Sequence, residues 1–137
     1  MLRKLTADLR HQHRVNFVYN QKDIVSGDCA FFLGCGRIVK KNILKKNKHN
    51  LMVHESASPQ GRDWSPLTRQ ILARKNNIPI TLFKVGERVD SGDIYFQEMM
   101  HFEGHELNVE LKNMQGKKTI ELVKKFIRTY PHVIGKK

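Results

Sequence analysis

The chain has 137 residues, a formal net charge of +12 and a hydrophobic fraction of 39%. A chain of this length buries about two-thirds of its unfolded surface, which is enough for one core and one domain over residues 1–137. The apolar residues occur in organised blocks, which argues against a disordered chain. The sequence has no run of about twenty apolar residues and no leader-like start, so we expect a cytoplasmic protein without membrane contact.

The cysteines and histidines do not predict a metal site. Cys29 and Cys35 have no Cys or His partner at zinc-ligand spacing, and we expect both to be small buried hydrophobic residues. His101 and His105 flank Gly104 and resemble a pair of metal ligands only superficially. The sequence therefore predicts neither a disulfide scaffold nor a bound metal.

The positive charge is concentrated in two segments. Residues 36–50 and 117–137 each carry a net charge of +6, whereas residues 51–116 carry seven basic and nine acidic residues. Basic chains suit nucleic acids, because lysine and arginine neutralise phosphates. Here the lysines of both segments alternate with apolar residues at helical spacing, which is typical of the solvated faces of helices. A nucleic-acid partner stays open but is not favoured.

Helices and strands are predicted to alternate along the first half of the chain. Leu2, Leu5 and Leu9 share one helical face, which predicts a helix over 2–13. The β-branched and aromatic run after it predicts a strand over 14–20. The elements predicted next are a turn over 23–27, a buried strand over 28–33, a helix over 37–46, a strand over 50–54 and a long loop over 55–66.

The second half continues the alternation. Its predicted elements are a helix from Ser65-Pro66 to Lys75, strands over 80–85 and 94–102, and helices over 106–114 and 117–130. The buried face of the last helix is predicted to hold Ile120, Val123, Ile127 and Tyr130. This order of elements predicts an α/β fold with a mainly parallel sheet.

A histidine and an aspartate are placed near strand ends. His54 ends a predicted strand and is followed by a loop rich in proline and glycine, and Asp90 lies in a Val-Asp-Ser-Gly turn before another strand. Because parallel α/β sheets form their sites beyond the carboxyl ends of the strands, we expect the two residues at the same edge. Such a pair can transfer a proton or polarise a carbonyl. From the residues alone, a structural histidine and a turn-forming aspartate remain the alternative.

Three motifs occur in a recognisable order. His54, Ser56 and Pro59 match the pattern Asn-x-His-Pro-Ser-x-x-Pro, Arg62 falls in the loop after it, and residues 89–92 match a Leu-Asp-x-Gly turn. With these motifs, residues 28–97 resemble the catalytic domain of the folate-dependent formyltransferases. That family includes the glycinamide ribonucleotide, methionyl-tRNA and sugar-nucleotide formyltransferases. The Trp64-Ser65-Pro66 continuation and the run over 78–82 look closest to bacterial amino-sugar enzymes of polysaccharide biosynthesis.

The resemblance implies a three-layer, Rossmann-like fold and an N-formyltransferase. The enzyme would move the formyl group of 10-formyltetrahydrofolate to the primary amine of a nucleotide-linked amino sugar, with no metal. In this family pattern His54 stabilises the developing oxyanion, and Asp90 orients His54 or accepts the proton. The residues implied to hold the formyl donor are Gly36, Arg37, Ile38, Val39 and Asp90, and those implied to bind the acceptor are Ser56, Arg62 and Trp64.

The sequence also departs from the family pattern. Met52 stands where the family has an asparagine, and a thioether offers no hydrogen-bond donor. Glu55 replaces the usual proline. The family's opening strand has no counterpart before Leu2, and relatives continue beyond the last helix. We therefore expect a sheet without its first strand and a weakly active or inactive enzyme.

Three other interpretations are open. The first keeps the family and takes initiator methionyl-tRNA as the acceptor, which the net charge of +12 would suit. The second is a basic nucleic-acid-binding α/β module without catalysis. The third is a non-catalytic subunit whose missing edge strand comes from a partner, and a homodimer is one form of it.

Overall fold

The computed structural model describes residues 2–33, 39–55, 77–86, 93–103, 108–130 and 132. These residues form one four-stranded sheet with helices on both sides. The elements in chain order are α1 (Leu2–Leu9), β1 (Gly27–Phe32), α2 (Lys41–Leu44), β2 (Asn47–His54), β3 (Asn77–Lys84), β4 (Ile94–His101) and α3 (Asn108–Thr129). No helix in this part of the chain is long and apolar enough to cross a membrane.

The strands lie in the order β1-β2-β3-β4. β1 runs parallel to β2, whereas β2 with β3 and β3 with β4 pair antiparallel. The α/β fold is confirmed, and the expectation of a mainly parallel sheet is corrected to a mixed one. The reason is clearest for β3 and β4, because the short connection over 85–93 suits antiparallel neighbours and is shorter than the crossover that parallel neighbours need.

Each face of the sheet has its own core, which gives three layers. Side chains alternate along a strand, so Leu51 and Val53 lie on one face and Met52 lies on the other. On the first face α3 contributes Leu111, Leu122 and Phe126 to the larger core, together with Leu51, Val53, Ile78, Ile80, Leu82 and Met100. On the second face Val39 and Ile43 pack against Phe32, and Met52 packs onto the same cluster.

Polar contacts at the start of β1 set its register against β2. The side-chain amide of Asn47 donates to the carbonyl of Val25 over 3.2 Å, and Lys46 Nζ donates to the carbonyl of Ile24 over 2.9 Å. Gly27 pairs with Asn47, and a Cβ at Gly27 would lie only 3.1 Å from Asn47 Oδ1. The glycine therefore permits the close approach that begins the parallel pair.

The strand predicted over 14–20 does not form. Residues 14–18 have no regular structure, and Asn20 instead caps a 3-10 turn over Gln21–Asp23 by accepting a hydrogen bond from the amide of Lys22. A segment of high β-propensity forms a strand only when a neighbouring strand supplies hydrogen-bond partners for its backbone. Within the described residues the sheet contains β1 to β4 alone, so this apolar segment leaves Phe17, Val18 and Tyr19 exposed.

The two helices predicted near the end of the chain are one continuous helix, α3. Gly116 does not interrupt it, because a glycine inside a helix costs only about 1 kcal/mol and the packed face offsets that cost. Of the predicted buried face, Val123 is buried and Tyr130 packs against the larger core, whereas Ile120 and Ile127 are only partly buried. Leu122 and Phe126 are fully buried instead, and Phe126 makes edge-to-face contacts with Phe31 and Tyr95 at 5.8 and 5.1 Å between ring centroids.

β4 contains a register shift that sequence alternation did not predict. Leu82 pairs with Phe96 but Phe83 pairs with Ile94, so Tyr95 is the extra residue. Both Tyr95 and Phe96 then pack against the α3 core, whereas strict alternation would place them on opposite faces. Strict alternation of faces along β4 therefore holds only from Phe96 onward.

Truncating Phe126 should test the role of α3. Phe126→Ala removes a fully buried ring from the larger core, and we expect a loss of about 3–5 kcal/mol in the free energy of unfolding. Urea denaturation followed by circular dichroism measures it. Val109→Ala, at a position 69% exposed on the same helix, is the matched control and should change stability by less than about 0.5 kcal/mol. Equal effects from both variants would contradict the packing of α3.

Candidate active site

His54 is the last residue of β2, at the strand's carboxyl end, as predicted. Its side chain is half-buried and shares a face with Met52, because side chains two residues apart point the same way. Across the sheet its Cα partner is Thr81 on β3. The histidine therefore belongs to the face that carries the smaller core.

The end of β1 lies beside His54. The strands are parallel and Phe32, the last residue of β1, pairs with Met52, so β1 and β2 end at the same edge of the sheet. Val39, a residue implied to hold the formyl donor, is described, and its side chain is 5% exposed in the smaller core. Only the backbone of Val39 is thus left for a ligand. The other residues of that set, Gly36, Arg37 and Ile38, lie outside the described residues.

The prediction that Asp90 shares a sheet edge with His54 rested on a premise that β3 does not meet. It assumed parallel strands, whereas β3 runs antiparallel to β2 and Lys84, at its end, pairs with Leu51. The amide of Lys84 donates to the carbonyl of Asp93 over 2.8 Å, which joins the strands on either side of the turn. Lys84 and Asp93, which flank the turn, therefore lie at the level of Leu51 on β2, three residues before His54. Asp90 itself, like Ser56, Arg62 and Trp64, lies outside the described residues.

Thr81 and Gln97 complete a polar row that the sequence did not reveal. Thr81 is fully buried and pairs with His54 on one side and with Gln97 on the other. The side-chain amide of Gln97 donates to Thr81 Oγ1 over 2.9 Å. A buried threonine in the apolar run of β3 was the available signal, but its neighbours follow only from the register.

Glu55 and Cys29 have perturbed ionisation. Burial raises the pKa of the Glu55 carboxyl, and a hydrogen bond with its own backbone amide partly opposes that shift. Burial, with a smaller contribution from the Asp28 carboxylate, raises the pKa of the Cys29 thiol to about 11. Cys29 is thus a protonated, half-buried thiol at neutral pH, in line with its predicted packing role.

The described residues contain no group of three or more His, Cys, Asp and Glu side chains that could hold a metal ion. His101 instead lies 2.6 Å from Asn77 Oδ1 through Nδ1, across the pair of β3 and β4. Its neighbour in the superficial metal pair, His105, is outside the described residues.

Relatives of the chain come from one enzyme family. A methionyl-tRNA formyltransferase of Caldicellulosiruptor saccharolyticus is 33% identical over 101 residues, which are 70% of this chain and 32% of the relative. The chain is a relative of the formyltransferases. It spans about a third of the length of the curated relatives it matches. No family model matches it.

Solved formyltransferase structures share its fold. Methionyl-tRNA formyltransferase from Clostridium thermocellum superposes with a TM-score of 0.73 and 19% identity, over 98% of this chain and 61% of that one. WlaRD, a sugar 3N-formyltransferase solved in the presence of dTDP and 5-N-formyl-THF, gives 0.67 and 22%, over 78% of this chain and 39% of that one. At these identities the likeness supports the formyltransferase fold and no particular acceptor.

Removing the charge of Glu55 should change how stability depends on pH. A raised pKa means that the folded chain binds more protons than the unfolded chain above the ordinary value of 4.5, so stability falls as pH rises through the folded pKa. We expect Glu55→Gln to be more stable than the wild type near pH 7.5, and the difference to vanish near pH 4. Urea denaturation at both pH values measures this.

Glu103→Gln, at an exposed carboxylate, controls for the loss of one negative charge. A Glu55→Gln effect of the same size at both pH values would show that the variant acts through packing instead of ionisation.

Proposed function

We propose that this chain forms the catalytic part of an N-formyltransferase that transfers the formyl group of 10-formyltetrahydrofolate to a primary amine. The observation that carries the proposal is His54, which stands at the carboxyl end of a strand parallel to β1 in a chain related to formyltransferases. The formyl-donor set (Gly36, Arg37, Ile38, Val39 and Asp90) and the acceptor set (Ser56, Arg62 and Trp64) remain part of this proposal.

The described residues fit a folate-type ligand next to His54. Met52 shares the face of His54, is half-buried and packs on the core of Phe32, Val39 and Ile43. This gives an apolar surface of the kind on which a flat ring system rests, and a methionine adapts well to such a ring.

The proposed chemistry needs a donor and a base. When bound, 10-formyltetrahydrofolate would supply the formyl carbon that the amine attacks; the bond from that carbon to N10 would break, and tetrahydrofolate would leave with the proton that the amine loses. The imidazole of His54 donates a hydrogen bond to the formyl oxygen as negative charge develops there, which is the largest electrostatic contribution such a site makes. Asp90 orients His54 or takes the proton that leaves the amine nitrogen through water.

A nucleotide-linked amino sugar is the acceptor we favour. The lysines of α3 belong to the helix that covers the sheet face opposite His54, and Lys124 lies 3.1 Å from the carboxylate of Asp8. The positive charge of α3 is therefore not part of the face that carries His54. The lysines around α2, which packs on the face of His54, carry as much positive charge as α3, so the support for a small acceptor is the resemblance of Trp64-Ser65-Pro66 to the amino-sugar enzymes.

Methionyl-tRNA is the second candidate acceptor, because the 33% identical relative is a methionyl-tRNA formyltransferase. The two acceptors differ in their response to salt. Binding of a tRNA releases counterions, so its affinity falls steeply as salt rises, whereas that of an amino sugar falls only mildly.

Replacing His54 tests the proposal. Wild-type chain is incubated with 10-formyltetrahydrofolate and either dTDP-linked amino sugars or methionyl-tRNA, and formylated product is measured by mass spectrometry. We expect His54→Ala to lower the rate about 10²- to 10⁴-fold. His101→Ala, at an exposed histidine on β4, is the control and should keep the wild-type rate. An absence of folate binding to the wild type would refute the proposed function.

Restoring the family asparagine should raise activity. Met52→Asn places an amide donor two residues before His54 on the same face, and a single donor to an oxyanion is worth about 10²- to 10³-fold. Part of this gain in rate is lost, because the polar amide of the new side chain packs poorly beside Phe32 and Phe83, the Cα partners of Met52. We expect a gain of about tenfold or more in kcat.

Met52→Leu is the matched control for Met52→Asn, since it keeps an apolar side chain of similar volume and offers no donor. Equal rates for the asparagine and leucine variants would mean that this position makes no contact with the reacting oxygen.

A further inference from the structure

Two neighbouring rows of side chains cross the sheet on the face that carries His54. The first consists of Met52, Phe83 and Ile94, which pair in register across β2, β3 and β4 and are all apolar. The second consists of His54, Thr81 and Gln97, which pair in the same way and are all polar. We call the second set the polar row. The change from apolar to polar between adjacent rows marks where the core ends and the candidate site begins.

Thr81 is the central and most buried member of the polar row. Its relative exposure is 0%, whereas His54 is half-buried and Gln97 is exposed. A valine would fill the same space in a strand without bringing a hydroxyl into the interior, and a buried hydroxyl is costly unless it is hydrogen-bonded. The Thr81 hydroxyl is therefore tolerated in the interior only because it is hydrogen-bonded.

The hydrogen bond from Gln97 limits what the Thr81 hydroxyl can do. Gln97 Nε2 donates to Thr81 Oγ1 over 2.9 Å, so the amide occupies one lone pair of the oxygen. A hydroxyl carries a single proton, which it then donates away from Gln97. Directly opposite residues of an antiparallel pair have Cβ atoms about 4.5–5.5 Å apart, so the side chains of Thr81 and His54 are direct neighbours on this face.

Donation to one ring nitrogen of a neutral imidazole decides the tautomer. The nitrogen that accepts has no proton, so the other nitrogen carries the N–H and is the one able to donate to a ligand. We propose that Thr81, itself held by Gln97, is a positioning residue that fixes the ring orientation and tautomer of His54. Its catalytic meaning rests on the proposed function, whereas the coupling of Thr81 to His54 does not.

The coupling is tested by ¹⁵N spectroscopy of the histidine rings. The ¹⁵N shifts of Nδ1 and Nε2 report the tautomer populations of each histidine in the labelled chain, and His54→Gln identifies the His54 signals. In the wild type we expect one dominant His54 tautomer. Thr81→Val should shift that population away from the wild-type tautomer, Gln97→Leu should do so in part, and Thr81→Ser should restore the wild-type signal.

Asn77 and His101 supply a matched control on the same two strands. Their side chains form a polar pair across β3 and β4, with 2.6 Å between Asn77 Oδ1 and His101 Nδ1. Asn77→Ala should move the ¹⁵N shifts of His101 and leave those of His54 unchanged. Because Gln97 is exposed, Gln97→Leu is expected to fold even if Thr81→Val does not.

Formyl transfer supplies the second readout. Thr81→Val should lower kcat about 10- to 100-fold with KM for the formyl donor changed by less than about twofold, because a misplaced reacting group loses rate more than affinity. Thr81→Ser should recover most of the rate. If the wild type transfers no formyl group, the ¹⁵N arm still decides the coupling. Unchanged His54 signals in both Thr81→Val and Gln97→Leu would overturn the proposal, whatever the rates.

Discussion

The pairing of β2 on both of its edges is the constraint on which the rest of the described structure depends. Its parallel register with β1 sets Phe32 beside Met52, and its antiparallel register with β3 sets Thr81 beside His54. The same strand sends Leu51 beneath α3 and His54 to the other face. A slip of one residue would exchange the two faces, so burial of the core also fixes the position of the candidate catalytic residue.

Apolar periodicity within one stretch of chain predicted most helices and strands correctly. It failed where the structure of a segment depends on a second segment that packs or pairs with it. α1 and the four strands follow from apolar periodicity, which burial enforces residue by residue. The direction of β3 does not follow, because an apolar run reads the same in parallel and antiparallel pairs. The segment over 14–20 has the composition of a strand but no described neighbour to pair with, and Gly116 signals a break that tertiary packing overrides.

The candidate site divides in the same way. His54 was found because its position after an apolar run and its loop motif are both local features of the sequence. Thr81 and Gln97 are separated from His54 by more than twenty residues and reach it only through the register of β2, β3 and β4. The expectation that β3 runs parallel to β2, on which the placement of Asp90 relied, failed for the same reason, because strand direction is not a local feature. The sequence motif therefore identifies His54, whereas its neighbours Thr81 and Gln97 are known only from the pairing of the strands.

The structure adds a packing role to Met52, which the sequence showed only as a missing hydrogen-bond donor. Its Cα partners are Phe32 and Phe83, and its side chain packs on the smaller core, so the whole row around it is apolar. An asparagine at that position would instead extend the polar surface of His54 by one row along β2. In this chain the boundary between core and site has thus moved toward the end of the strand. Within the described residues the polar row of His54, Thr81 and Gln97 borders this apolar surface. Any stabilisation by β2, β3 and β4 of the negative charge on the formyl oxygen therefore has to come from that row.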